Sequence, residues 1–150
     1  MSRVQLALNV TDLDESIAFY TKLFQTAPAK VRDGYANFAI VDPPLKLILF
    51  AGAGEPGSLN HIGVEVDSPA AVAAAIQRAT ADGLDQEIQQ NVSCCYAVQD
   101  KTWVQGPDNA WEFYTVLADA PEMACSVTAD GGCEGDPAAE DPVSVDATCC

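Results

Sequence analysis

The sequence predicts an α+β protein in which two βαβββ modules form a curved, mixed sheet shaped as a cup. Three observations predict it: short runs of period-two apolar alternation, two separate helical patterns that each have their own cap, and a strand–helix–strands order that starts again midway along the chain. VQLALNV (4–10) reads as the first strand. Asp12 with Glu15 forms a capping box for a helix over DLDESIAFYTKLFQ, where Leu13, Ile17, Tyr20 and Phe24 share one face. A short strand at Lys30–Arg32 follows, then strands at Tyr35–Val41 and Leu45–Phe50 divided by the turn-forming DPP. AGAGEPGS (51–58) is a linker by composition.

The second pass opens with NHIGVEV (60–66). Ser68 then caps an Ala-rich helix with Pro69 at its first position, and that helix runs to Gly83. Strands are expected around 86–92, 97–104 and 110–117. Gln5 precedes the Asp12 cap by seven residues, and His61 precedes the Ser68 cap by seven, so the two hold the same place in each repeat. The expected organisation is one domain over 1–118, with modules of about 1–52 and 58–118. A tail over 119–150, rich in Ala, Asp, Gly, Pro and Glu, is expected to be flexible because it has too few large apolar residues to offset the entropy of ordering.

Charge narrows the function. The chain carries a net −15. Residues 1–118 hold 14 acidic against 7 basic side chains, and the tail holds 8 acidic and none basic. Such a balance argues against nucleic acid and anionic membranes, both of which need Lys and Arg. No apolar run approaches the roughly 18 residues of a membrane span, and no signal peptide opens the chain. A cytoplasmic protein with reduced thiols is expected. Its six cysteines then read as ligands, nucleophiles or core residues and not as a disulfide framework.

Cys94 and Cys95 are adjacent, and a second pair, Cys149 and Cys150, ends the chain. Vicinal thiols suit a soft, thiophilic species such as trivalent arsenic or cadmium. The bland alternative is that each is a small buried hydrophobe. Neighbouring side chains on a regular strand point to opposite faces, so chelation requires a mobile loop or an irregular strand end around Ser93–Tyr96. His61 is the one histidine, which removes any mechanism that needs two. Alternation puts it with Gly63 and Glu65 on one face, and puts Gln5 with Ala7 and Asn9 on the equivalent face. Glu112, inside WEFYTV, is unfavourable there unless paired, exposed or metal-bound. Gln5, His61 and Glu112 together would make a three-point facial site like that of non-haem iron, with the glutamine replacing one histidine. Other catalytic signatures are missing: there is no G-x-S-x-G, no phosphate loop, no C-x-x-C and no EF-hand. A Cys–His nucleophilic pair has nothing in the sequence to orient it.

The doubled pattern with YANFAI, DPPLKL, LNHIGVEV, CCYAVQDK and WEFYTVLAD resembles the vicinal oxygen chelate superfamily of glyoxalases, extradiol dioxygenases and antibiotic-resistance proteins. Within it, Val4–Asp119 is similar to the organoarsenical C–As lyases and the cadmium-induced proteins. The resemblance implies a ferrous site held by Gln5, His61 and Glu112, with Cys94 and Cys95 binding a methyl- or aryl-arsenic(III) substrate whose carbon–arsenic bond is cleaved with dioxygen to give arsenite. Glyoxalases place a further carboxylate ligand in the stretch that reads LKLILF here. Lys46 or Leu47 stands where that acid would be, which favours oxygen chemistry over isomerisation. The rival expectation is a non-enzymatic As(III)/Cd(II)-binding protein, and a weaker one is another dioxygenase or thiol-transfer enzyme of the superfamily. A monomer or homodimer is expected, and the roles of Cys125, Cys133, Cys149 and Cys150 are left open.

Overall fold

In the computed structural model, residues 1–121, Met123 and the pairs Ser126–Val127 and Cys133–Glu134 are described. The element order follows the doubled pattern: β1 (Arg3–Val10), α1 (Leu13–Phe24), β2 (Lys30–Arg32), β3 (Tyr35–Ile40) and β4 (Leu45–Ala51), then β5 (Leu59–Glu65), α2 (Pro69–Ala81), β6 (Gln86–Cys94), β7 (Ala97–Gln105) and β8 (Ala110–Asp119). The α+β class and both βαβββ passes are present. Two short strands, β9 (Ser126–Val127) and β10 (Cys133–Glu134), pair antiparallel. They lie within the segment expected to be a tail, as do residues 119–121 and Met123; its other residues, with Cys125, Cys149 and Cys150, fall outside the described residues.

Two compact units divide at Glu65/Val66, so β5 belongs with the first unit although it opens the second sequence repeat. The cause is its antiparallel ladder with β1. In this unit the strands run β2-β3-β4-β1-β5. β1 and β4 are parallel, and the neighbouring pairs are antiparallel.

Period-two alternation then sorts the first unit's side chains. One face carries Leu6, Leu8, Val10, Ala36, Phe38, Ile40, Leu47 and Leu49, and the expected stripe of α1 (Leu13, Ile17, Tyr20 and Phe24) packs onto it. Asp12 caps α1 as expected, its side chain accepting from Glu15 N at 2.8 Å. The helix-free face carries Gln5, Ala7 and Asn9 on β1, opposite Lys46, Ile48 and Phe50 on β4 and Gly63 and His61 on β5. One face is thus apolar and sealed by a helix, and the other holds buried polar groups.

The second unit repeats that division. α2 begins at the Ser68 cap, with Pro69 in its first turn, and buries Val72, Ala75 and Ala79. Gly83, beyond its end, takes φ 68, a conformation open to glycine at little cost. β6, β7 and β8 form an antiparallel ladder. β6 runs two residues further than the spacing predicts, because a bulge between Gln89 and Val92, with Asn91 at φ 52, absorbs the irregularity.

Phe38 is fully buried between α1 and the strands. Phe38→Ala is expected to cost about 3–5 kcal/mol of stability in urea unfolding, and Asp12→Ala about 1 kcal/mol.

Candidate active site

Gln5 and His61 meet directly. The register pairs Gln5 with Gly63 and Ala7 with His61, which places both side chains on the helix-free face. Gln5 Nε2 lies 2.8 Å from His61 Nε2. On the other edge of the ring, Nδ1 lies 2.7 Å from Asn60 Oδ1. Phe50 flanks the imidazole with ring centroids 6.2 Å apart, and Tyr35 packs on Phe50 at 5.5 Å. Lys46 stands opposite Gln5 in the β1–β4 register, its Nζ 3.5 Å from Glu65 Oε1.

Glu112 lies on β8 of the second unit with 2% exposure. It is not on a solvent face. Its Oε1 accepts from Lys101 Nζ at 2.8 Å, and the Lys101 side chain has no exposure at all. Sequence reasoning missed Lys101. The signal was available, since an acid in a Trp/Phe/Tyr strand requires a partner and DKTW on the neighbouring strand holds the one lysine of the second repeat. The ammonium also lies 5.8 Å from the Trp103 ring centroid. Breaking such a buried pair from one side leaves an uncompensated charge.

The thiols are placed by a turn. β6 ends at Cys94, paired with Ala97, and β7 starts at Ala97, so Cys95 and Tyr96 form a two-residue hairpin loop. Their φ values are 50 and 60, the left-handed pair of a type I′ turn. That turn normally takes Asn-Gly, and non-glycine residues there carry backbone strain. The expected mobile loop or irregular strand end is corrected: Ser93 and Cys94 stay in a regular ladder, and the reversal is confined to the next two residues. The turn takes Cys95 out of the strand alternation that would send neighbouring side chains to opposite faces. Cys94 has no exposure and Cys95 has 7%.

A second correction concerns redox state. Cys95 is disulfide-bonded, to a sulfur other than that of Cys94, which is a thiol. The expectation of six reduced cysteines came from compartment alone, whereas the turn leaves Cys95 able to bond away from its neighbour.

Registers place Cys94, Gln99 and Lys101 on the same face of the second unit as Glu112 and Tyr114. Gln99 Nε2 donates to the Cys94 carbonyl at 3.3 Å and ties the turn to this row. Gln99 Oε1 is buried without a hydrogen-bond partner among the described residues, as is Gln89 Oε1. Among the described residues no cluster of three or more His, Cys, Asp or Glu forms a metal site. A set that includes a glutamine is of a different kind.

The Glyoxalase/Bleomycin resistance protein/Dioxygenase superfamily model matches residues 3–115. The trivalent organoarsenical cleaving enzyme of Thermomonospora curvata is 51% identical, with 100% of each chain covered. The cadmium-induced protein CadI of Mycobacterium tuberculosis is 58% identical over 80% of each. This chain therefore belongs to the glyoxalase/bleomycin resistance/dioxygenase superfamily and, within it, to the family that holds these two proteins. Among solved structures, an extradiol ring-cleaving dioxygenase from B. fuscum superposes with TM-score 0.57 at 19% identity, over 81% of this chain and 34% of its own. This chain thus spans about a third of that enzyme's length. Methylmalonyl-CoA epimerase from Mycobacterium tuberculosis superposes with TM-score 0.56 at 14% identity, over 75% and 86%. These likenesses establish the fold.

Lys101→Met is expected to destabilise the metal-free protein by about 3–5 kcal/mol, because Glu112 is left buried and unpaired. Lys101→Met/Glu112→Leu should recover most of that loss. Chemical denaturation of the two variants checks it, and equal instability in both would show that the ion pair is not the cause.

Proposed function

We propose that this protein is a C–As lyase that uses Fe(II) and dioxygen to convert trivalent organoarsenicals to arsenite. The observation that carries the reading is the adjacent cysteine pair where β6 enters a strained two-residue turn, chemistry suited to a species with two exchangeable oxygen ligands. Support comes from the full-length similarity to a protein named for cleaving trivalent organoarsenicals. Gln5, His61 and Glu112 are the proposed metal ligands. The donor set fits a ferrous ion: a neutral imidazole with one nitrogen facing Gln5, an amide that can present its oxygen, and one buried carboxylate. When bound, iron supplies the one-electron chemistry by which dioxygen reacts with organic carbon.

The chain's own residues do the rest. Cys94 and Cys95 displace two hydroxyls from R–As(OH)₂ as water, giving a neutral dithiolate with the As–C bond projecting outward. Gln99 fixes the carbonyl of Cys94 and so holds the turn that presents the sulfurs. Phe50 and Tyr35 provide apolar, aromatic walls beside His61. Were the dithiolate held beside the metal ligands, a bimolecular encounter would become an intramolecular one. For a methyl substrate the balance closes with dioxygen alone: CH₃As(OH)₂ + O₂ gives As(OH)₃ + CH₂O, so no external reductant is consumed. The chelating form is the one in which Cys95 is reduced, as a cytoplasmic location provides.

A second reading, sequestration of As(III) or Cd(II) without turnover, is favoured by the similarity to a cadmium-induced protein. Retention of Gln5, His61 and Glu112 weighs against it, since a thiol trap needs none of them.

Reduced protein, reconstituted anaerobically with Fe(II) and given methylarsenite, is expected to release arsenite only after oxygen is admitted, with one formaldehyde per arsenite. Cys94→Ser and Cys95→Ser should each abolish release. His61→Ala and Glu112→Ala should abolish it too, but leave arsenic binding largely intact. Arsenite release at the parent rate from either metal-ligand variant would sink the iron reading, and stoichiometric arsenic retention without release would establish sequestration instead. Oxidised protein is expected to be inactive until a thiol reductant is added.

A further inference from the structure

His61 is one end of a hydrogen-bonded chain that runs through the segment composition marks as a linker. Its Nδ1 meets Asn60 Oδ1 at 2.7 Å. Asn60 Nδ2 donates to Asn9 Oδ1 at 2.9 Å, and Asn9 Nδ2 donates to Ser58 Oγ at 2.9 Å. The Ser58 hydroxyl donates to the backbone carbonyl of Glu55.

The direction of this chain follows from its far end. A backbone carbonyl only accepts, so the single proton of the Ser58 hydroxyl goes to Glu55 O. Ser58 Oγ must then accept from Asn9, which turns the Asn9 amide nitrogen towards Ser58 and its oxygen towards Asn60. Asn60 consequently gives its nitrogen to Asn9 and its oxygen to the ring. Facing an acceptor, Nδ1 carries the proton, and Nε2 is left with its lone pair. The contact with Gln5 agrees, because an amide N–H at 2.8 Å requires an acceptor on Nε2. The Ser58 end fixes this direction without any assumption about which way an amide points, and the Gln5 amide is oriented to match it.

The backbone is shaped for this relay. On β5 the register jumps from Ala7↔His61 to Leu8↔Leu59, so Asn60 is the extra residue of a bulge. A bulge re-aims a side chain that regular alternation would send to the other face. The 52–58 segment is clamped to the end of β1 by Asn9 N→Ser58 O at 3.0 Å and Gly57 N→Asn9 O at 2.8 Å. Gly54 closes against Asn9 so tightly that a Cβ there would lie 2.6 Å from Asn9 Nδ2.

We propose that Asn60, Asn9 and Ser58 are positioning residues that hold His61 as its Nδ1–H tautomer, with an unprotonated Nε2 for the proposed metal. The functional part rests on the metal site proposed above; the tautomer does not. Second-shell partners of this kind orient a ligand imidazole, and losing one typically lowers metal affinity 10- to 100-fold.

Because His61 is the one histidine in the chain, ¹⁵N-histidine labelling gives a single, unambiguous imidazole. In metal-free protein at a pH where the ring is neutral, Nδ1 is expected at a pyrrole-type shift and Nε2 at a pyridine-type shift. Asn60→Leu should move the two shifts towards each other or reverse them, and should weaken Co(II) binding by about 10- to 100-fold in calorimetry. Asn60→Asp, which keeps the acceptor, should keep the parent tautomer and bind Co(II) within a few-fold of parent. Gly54→Val should act like a weak Asn60→Leu by displacing Asn9. A protonated Nε2 in the parent, or a parent-like tautomer in folded Asn60→Leu, would overturn the relay. If Asn60→Leu does not fold, the parent shifts and those of Asn60→Asp still decide. Tautomer shifts as stated with no Co(II) binding in any form would uphold the relay and remove the metal reading instead.

Discussion

Buried polar groups must be paired, and that constraint governs the face of each sheet that no helix covers. The helix-covered faces are ordinary apolar cores, with Phe38, Leu47 and Leu49 under α1 and Val72, Ala75 and Ala79 contributed by α2. On the other faces Gln5, Asn9, Lys101 and Glu112 are each at or below 5% exposure. Nothing in hydrophobic packing would select them. An unpaired amide or charge there costs on the order of one to several kcal/mol, so each must be locked into a network. The two units meet this constraint differently. The first uses amides and a hydroxyl in series beside its Lys46–Glu65 pair, and the second uses the fully buried Lys101–Glu112 pair.

That difference has a chemical consequence. A relay of neutral donors and acceptors sets proton position and ring orientation without placing a fixed charge beside the imidazole. The Lys101–Glu112 pair supplies one fixed charge of each sign. Burial desolvates the carboxylate, and the Lys101 ammonium at 2.8 Å compensates for that loss.

Strands, helices and caps were legible because periodicity and capping are local. Asp12 with Glu15, Ser68 with Pro69 and the stripe of α1 all stand where the spacing put them. Gln5 and His61 were legible as a pair through their equal offset from the two caps, and they do meet at 2.8 Å. What could not be read is what depends on register. Asn60 reaches the ring through a bulge that no pattern announces, and Lys101 reaches Glu112 across a ladder whose alignment is set by packing. The turn at Cys95 and Tyr96 was hidden for another reason: a type I′ turn is usually signalled by Asn-Gly, and here the residue types contradict the geometry. Composition marked 51–58 as a linker but gave no sign that Gly54 serves close approach to Asn9.

A local rule broken without compensation in stability is most easily understood as serving function. Cys95 and Tyr96 both hold left-handed backbone conformations that glycine or asparagine would adopt at less cost. The strain is held in place on three sides: by the Cys94–Ala97 ladder pair, by Gln99 on the Cys94 carbonyl, and by Ala120 N donating to Tyr96 O at 3.0 Å. An Asn-Gly turn would relieve that strain and delete a sulfur. The ladder therefore stabilises a turn whose residue types are not the ones its geometry favours. The same restraint explains how adjacent cysteines avoid the regular alternation of a strand while remaining buried. A tight reversal secured at both strand ends has less conformational entropy left to lose on binding than an open loop would have, and the proposed chelation by two sulfurs would draw on that.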